Sequence, residues 1–115
     1  MLTADRMQAI ALELPGTERG TAWGQPVVKV GKTSLYFWNP KYGPVFSMSF
    51  DMRDFWIEAD PETFFTTDHH ANYPCVLARP ERVDEDWVRQ RLRDTWLAKA
   101  PKKLVKVHPS LSGNQ

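Results

Sequence analysis

The residues best suited to chemistry lie together in the middle of the chain. His69 and His70 follow Asp68, and Cys75 comes six residues after His69. Imidazole, thiolate and carboxylate groups all bind Zn²⁺, but zinc sites use three or four protein ligands. Adjacent histidines on an extended loop point apart, and no C-x-x-C or H-x-x-x-H spacing supplies further ligands. The sequence therefore predicts that this loop binds no metal.

Two aromatic residues suggest another use for the same loop. Tyr73 follows the histidine pair, and Trp23 precedes Gly24 at the entrance to a predicted strand. Exposed aromatic side chains can stack on bases or anchor a protein partner. The alternative functional hypothesis is therefore a protein- or small-ligand-interaction module with a pocket around Trp23, His69 and Tyr73.

The sequence carries no pattern typical of catalysis. Cys75 opens a predicted strand with no cationic residue fixed beside it, which favours a small buried hydrophobe over a nucleophile. We find no Ser-His-Asp pattern, phosphate-cradling glycine loop or dinucleotide fingerprint. The sequence therefore predicts a protein that is not an enzyme and needs no cofactor.

A set of basic side chains supports the leading functional hypothesis, weak binding to DNA. Four lysines near the C-terminal end fall within eight residues that contain no acid, and two arginines lie four residues apart on the preceding helix. If they share a surface with the lysines of a predicted hairpin, they could neutralise phosphates with salt-dependent, sequence-independent affinity. The alternative is a solvated basic end that offsets a helix dipole. The candidate contacts are Lys29, Lys32, Arg89, Arg93, Lys99, Lys102, Lys103 and Lys106.

Length, charge and composition limit the number of domains, the kinds of partner and the compartment that either hypothesis allows. The 115 residues suit one domain, predicted over residues 1–109 and followed by a flexible polar tail, residues 110–115. A net charge of +1 gives no overall field that would attract nucleic acid or a membrane. One cysteine rules out an internal disulfide and favours a reducing compartment, so we expect a cytoplasmic protein. We find no signal peptide and no apolar run near the roughly 20 residues of a membrane span.

Apolar periodicity and turn residues predict the elements in order. Thr3 caps a first helix, and Gly31 and Lys32 form the turn of a hairpin. Asp51 caps a short helix to about Ala59, and Asp84 caps a long last helix to about Ala100. The predicted strands are Val27–Val30, Ser34–Trp38, Val45–Phe50, Thr63–Thr67 and Cys75–Arg79. This order predicts an α+β fold, a two-layer sandwich with an antiparallel sheet of about five strands and helices packed on one face.

Several short motifs, in this order and spacing, resemble a known family. They are Leu14-Pro15-Gly16, Trp23-Gly24-Gln25-Pro26-Val27, Asp60-Pro61-Glu62-Thr63-Phe64-Phe65, Tyr73-Pro74 and Ala100-Pro101-Lys102-Lys103-Leu104. Over about residues 7–106 the chain resembles the MmcQ/YjbR family of small bacterial proteins. The resemblance implies a frataxin-like (CyaY-like) fold. It also implies binding to DNA, because members of the family are often described as DNA-binding proteins.

Frataxin-like folds also raise the question of iron. Frataxins bind iron through an acidic first helix and edge strand, whereas the first helix here offers only Asp5 and Glu13. Hard cations need several oxygen ligands in one place. The sequence therefore predicts no iron site.

Overall fold

The computed structural model describes residues 1–112, and its first helix follows the predicted pattern. Helix α1 spans Ala4–Ala11. The Thr3 hydroxyl accepts a hydrogen bond of 3.0 Å from the Arg6 amide, which confirms the predicted N-cap. Met7 and Ile10 lie on the buried face, one turn apart. The helix therefore packs onto the core through the apolar residues whose spacing predicted it.

The strands form two antiparallel sheets instead of one. The three-stranded sheet has the order β1-β2-β3, and the four-stranded sheet has the order β4-β5-β7-β6. The α+β class is confirmed, but the prediction of a single sheet of about five strands is wrong. The strands are β1 Thr17–Ala22, β2 Gln25–Val30, β3 Thr33–Ser34, β4 Phe37–Asn39, β5 Gly43–Ser47, β6 Phe64–Phe65 and β7 Cys75–Ala78.

The two sheets separate at Leu35 and Tyr36, inside the predicted strand Ser34–Trp38. Both side chains are fully buried, with 1% and 0% exposure. Successive side chains of a strand point to opposite faces, so two consecutive buried residues do not fit a half-exposed edge. The chain leaves the ladder here, and the Leu35 amide still donates to the Val28 carbonyl over 2.9 Å. The break lets β4 begin a second sheet.

Strand β1 and the start of the second helix differ from the sequence expectation. Strand β1 was not predicted because its residues are polar and lie on the exposed edge of the sheet, where no apolar alternation is needed. Helix α2 spans Phe50–Ala59, and Ser49, not Asp51, is its N-cap. The Ser49 hydroxyl accepts from the Met52 amide over 3.1 Å, so strand β5 ends earlier than predicted.

The last long helix, α3, spans Glu85–Lys99 and closes the core. The Asp84 carboxylate accepts from the Trp87 amide over 3.2 Å, which confirms the predicted cap. Trp96 is fully buried, and its indole N–H donates to the Pro15 carbonyl over 2.9 Å. This bond joins the end of α3 to the loop after α1.

A short helix and a 3₁₀ turn complete the described chain. Helix α4 spans Lys102–Lys106, and the turn spans Pro109–Ser112. The proposed tail, residues 110–115, therefore begins inside this turn, and residues 113–115 lie outside the described part. Leu111 is partly buried against the main core. Within residues 1–112, none of the helices is both long and apolar enough to cross a membrane.

The four-stranded sheet is apolar on both faces. On its inner face, Phe46 and Val76 pair across β5 and β7 and join the main core with residues of α1 and α3. On its outer face, side chains of paired residues form a row across all four strands. Val45 and Leu77 are the buried centre of this row, and they form a second small cluster with Cys75. The outer row is Phe37, Val45, Leu77 and Phe65.

Glycines with positive φ provide a matched test of one packing contact. Gly43 has φ +90°, and a Cβ there would lie 2.7 Å from Cγ of Pro80. Gly24 has φ +76°, with nothing within 4 Å of such a Cβ. We expect Gly24→Ala to lower the free energy of unfolding by about 1 kcal/mol, from backbone strain alone. Gly43→Ala should cost about 2–4 kcal/mol, because the clash with a stiff ring adds to that strain.

Urea unfolding of the two variants beside the unchanged protein measures both losses. Equal losses for the two variants would show that the contact with Pro80 does not constrain the turn before β5.

Candidate functional site

A cavity of about 560 Å³ opens at one edge of the four-stranded sheet, on its outer face. Its lining comes from three separate parts of the chain: the β1–β2 turn, the sheet with the loop after β4, and the loop before β7. Trp23, His69 and Tyr73, which the sequence grouped in one hypothesis, all line it. We call this cavity the Trp23 pocket.

The floor of the Trp23 pocket is the apolar outer face of the sheet. Phe37, Val45 and Cys75 contribute to it from β4, β5 and β7. The Cys75 thiol is buried, as predicted, and its burial raises its pKa above the usual value. The thiol is therefore protonated at neutral pH and acts as a small apolar group.

Tight turns between Thr67 and Pro74 build one wall of the pocket. The His69 and His70 rings meet edge to face, with centroids 4.9 Å apart, and Tyr73 lies 6.3 Å from His69. The expectation that the adjacent histidines point apart is wrong. Because this segment turns repeatedly instead of running extended, both rings line the same cavity.

Three hydrogen bonds hold this wall in place. Arg53 of α2 donates to the Ala71 carbonyl over 2.8 Å, which ties the loop to the helix. The Thr67 hydroxyl lies 2.7 Å from Nδ1 of His70 and accepts from the His70 amide over 3.2 Å. A hydroxyl can donate one hydrogen bond and accept two, so the ring tautomer decides whether Nδ1 of His70 accepts from Thr67 or donates to it. In either tautomer this bond fixes the orientation of the His70 ring.

The opposite rim is the two-residue turn between β1 and β2. Ala22 pairs with Gln25, and Trp23 and Gly24 between them have φ values of 57° and 76°. Positive φ at both central positions is typical of a type I′ hairpin turn, in which Asn-Gly is the preferred sequence. Here a tryptophan takes the place of the asparagine, and its side chain is 90% exposed.

Sequence reasoning missed much of the lining, including Gln25, Phe37 and Asn39. Phe37 and Cys75 are far apart in sequence. They line the same pocket because only one strand, β5, lies between β4 and β7 in the sheet. Only the strand order shows this, and the sequence predicted one sheet of about five strands without giving their order within it. The aromatic character of Phe37 and Trp38 was the one available signal.

The structure divides the basic residues of the DNA hypothesis. Arg89 faces acids, with ion-pair contacts of 3.0 Å to Glu13, 3.8 Å to Glu85 and 3.9 Å to Asp86. The hydrogen bond from Arg89 lowers the pKa of Glu13 below its usual value. Arg6 binds Glu85 as well, over 2.8 Å. This network joins α1 to α3, so the charge of Arg89 is already matched.

The remaining basic residues lie on other elements. The turn between β2 and β3 approaches α4, since a Cβ on Gly31 would be 3.7 Å from Cγ of Pro101. Lys32 and Lys102 therefore belong to adjoining segments. Lys29 is half-buried, and its stem lies over Gly20, where a Cβ would be 3.2 Å from it. The exposed members of the set are Lys32, Arg93, Lys99, Lys102, Lys103 and Lys106.

Comparison with known proteins gives relatives without an assigned activity. No family model and no solved structure matches the chain. The uncharacterized proteins Rv2570 of Mycobacterium tuberculosis and Mb2600 of Mycobacterium bovis are each 35% identical to it over 57 residues. The match covers 50% of this chain and 44% of each relative, so the chain spans less than half the length of the curated relatives it matches.

The histidine wall predicts a pH dependence. Burial, with a smaller electrostatic effect of His69, lowers the pKa of His70 below its usual value of 6.5. Because the unfolded chain binds this proton more tightly, stability is complete above about pH 6.5 and falls as the pH drops through the lower pKa of the folded state. An NMR titration of the His70 ring should give a pKa below 6.5, and His70→Gln should flatten the acid side of the stability curve.

The unfolded chain in concentrated urea serves as the reference, since the ring should return there to about 6.5. The ring signal is assigned by its loss in His70→Gln. A folded-state pKa at or above the urea value contradicts the burial of this ring.

Proposed function

We propose that this protein is a non-enzymatic binding module that takes a small organic ligand in the Trp23 pocket. One observation carries the proposal: Trp23, which is distant in sequence from His69 and Tyr73, lines a single cavity together with them. Its volume of about 560 Å³ lies within the range of roughly 300–1,000 Å³ that is usual for ligand sites.

The lining has the chemical balance of a ligand site. The floor and walls are apolar and aromatic, from Phe37, Trp38 and Val45. Polar groups are few. The Gln25 amide can donate and accept hydrogen bonds, whereas Asn39 can only donate, because its Oδ1 already accepts from the backbone amides of Lys41 and Tyr42. A mainly apolar cavity with a few polar groups orients a small ligand while gaining affinity from burial. The pocket therefore suits an organic molecule better than a hydrated ion.

The same groups favour binding over bond-making. Burial raises the pKa of the Cys75 thiol, whereas a nucleophilic cysteine needs a lowered pKa. Within residues 1–112, His69 and His70 make no hydrogen bond or ion pair with a carboxylate, the partner that orients a catalytic histidine. These features support a module that holds its ligand unchanged.

Saturation-transfer NMR with named probes tests this proposal. The probes are 2-naphthol, its saturated counterpart decahydro-2-naphthol, and 2-naphthoate, and we expect at least one of them to bind. Tyr73→Ala should weaken that probe about three- to tenfold, the value of one aromatic contact. Phe55→Ala is the matched control, because Phe55 and Tyr73 are both 57% exposed and only Tyr73 lines the pocket.

Two results would count against the pocket. One is that none of the three probes binds the unchanged protein. The other is that Phe55→Ala weakens binding as much as Tyr73→Ala does, which would place the probe on another surface.

Duplex DNA is a second candidate ligand, and it would bind at a surface outside the Trp23 pocket. The resemblance to the MmcQ/YjbR family implies it, and the approach of Gly31 to Pro101 favours it by joining the segments of Lys32, Lys102 and Lys103. Such a surface would bind phosphates without regard to sequence. The ion pairs of Arg89 remove that residue from the proposed contact set.

A mobility-shift series with duplex DNA at increasing salt tests this candidate. Lys102→Glu should weaken binding for every sequence and reduce the slope of log K against log salt by about 1, the effect of one phosphate contact. Lys41→Glu is the matched charge reversal, on the turn between β4 and β5. Absence of binding at about 50 mM salt, or equal effects of both variants, would remove DNA from consideration.

A further inference from the structure

The backbone of Trp23 adopts a conformation that its side chain disfavours. Within residues 1–112, Trp23 is the one residue other than glycine with positive φ, at 57°. Bulky residues are rare in this region because Cβ approaches the following carbonyl oxygen. Asparagine or glycine would fit the same turn without this strain. Folding alone therefore gives no reason for a tryptophan here.

Packing within the protein does not offset the strain. The Trp23 side chain is 90% exposed, more than any other large hydrophobic residue of the described chain. The exposed Phe55 ring packs on Trp56 at 5.1 Å, but Trp23 makes no ring contact with another aromatic residue of residues 1–112. A large apolar side chain that is both strained and exposed points to a contact made outside the folded chain.

The position of Trp23 identifies that contact. Trp23 lines the rim of the Trp23 pocket, whose wall carries Tyr73 and whose floor carries Phe37. An aromatic ring at the rim of an aromatic cavity can stack on a flat molecule that enters. Stacking on a base contributes to affinity through the π-face of the base. It therefore favours planar rings and does not require a particular pattern of substituents.

The lining also restricts the charge of the ligand. Among the described residues that line the pocket there is no aspartate, glutamate, lysine or arginine. Burying a charged group without an opposite charge is costly, whereas neutral donors and acceptors can pair with Gln25, Asn39 and His70. The pocket therefore favours an uncharged ligand.

We infer that the ligand of the Trp23 pocket carries an uncharged planar aromatic ring, and that the Trp23 indole covers this ring by stacking. The inference rests on the proposed function and adds the chemical class of the ligand. The turn holds Trp23 at the rim, and the ligand supplies the apolar contact that the folded chain lacks.

Substitution of Trp23 separates this role from a structural one. Trp23→Asn should raise the melting temperature by a few degrees, since asparagine fits positive φ, and should weaken 2-naphthol about tenfold or more. Binding of decahydro-2-naphthol, which has the same skeleton without a flat ring, should be weaker in the unchanged protein and change less than threefold. Trp23→Phe keeps an aromatic ring and should retain most of the 2-naphthol affinity.

Each alternative outcome is informative. If the unchanged protein binds decahydro-2-naphthol or 2-naphthoate as tightly as 2-naphthol, the pocket remains and the inference fails. If Trp23→Asn leaves 2-naphthol binding unchanged, or weakens both neutral probes equally, Trp23 does not stack. If no probe binds the unchanged protein, the proposed function itself fails.

Discussion

The four-stranded sheet has two apolar faces, and the rest of the structure depends on how each is covered. Phe46 and Val76 on the inner face are buried by the main core. Val45 and Leu77 on the outer face must also leave water, because burial of apolar surface is the main favourable term in folding. The α1 and α3 packing covers the inner face only. The outer face is covered by loops, and loops leave an edge of it open as the Trp23 pocket.

Helix α2 links this covering to the core. Every residue of α2 is at least partly exposed. The helix is therefore held in place by a few specific side-chain contacts more than by a buried face. Trp56 packs on Phe64 and on Trp87 of α3, at 5.5 Å and 5.6 Å, while Arg53 binds the Ala71 carbonyl of the pocket wall. The helix thus fixes the loop relative to the sheet. A pocket with a sheet as floor and anchored walls is largely formed before a ligand arrives, which lowers the entropic cost of binding.

Most local signals were interpreted correctly from the sequence, although the N-cap of α2 is Ser49 and not Asp51, whereas pairings between distant strands were not predicted. The caps at Thr3 and Asp84 follow from residues within one turn of each other. Strand β1 was missed because a polar edge strand has no apolar period, and the split of the sheets depends on the burial of both Leu35 and Tyr36. The grouping of Trp23, His69 and Tyr73 came from their residue types, whereas the apolar floor between them follows from strand order alone. The sequence therefore indicated which residues could form a site better than it indicated how they meet.

The most direct test of the pocket is a two-dimensional amide NMR spectrum recorded as 2-naphthol is added. We expect the Trp23 indole N–H to shift together with the backbone amides of His69, His70 and Cys75, along one binding curve. The amide of Lys103 in α4, outside the pocket lining, should stay in place. Shifts confined to α4 or to the exposed face of α2, with the Trp23 indole unmoved at full binding, would contradict the assignment of this cavity as the ligand site.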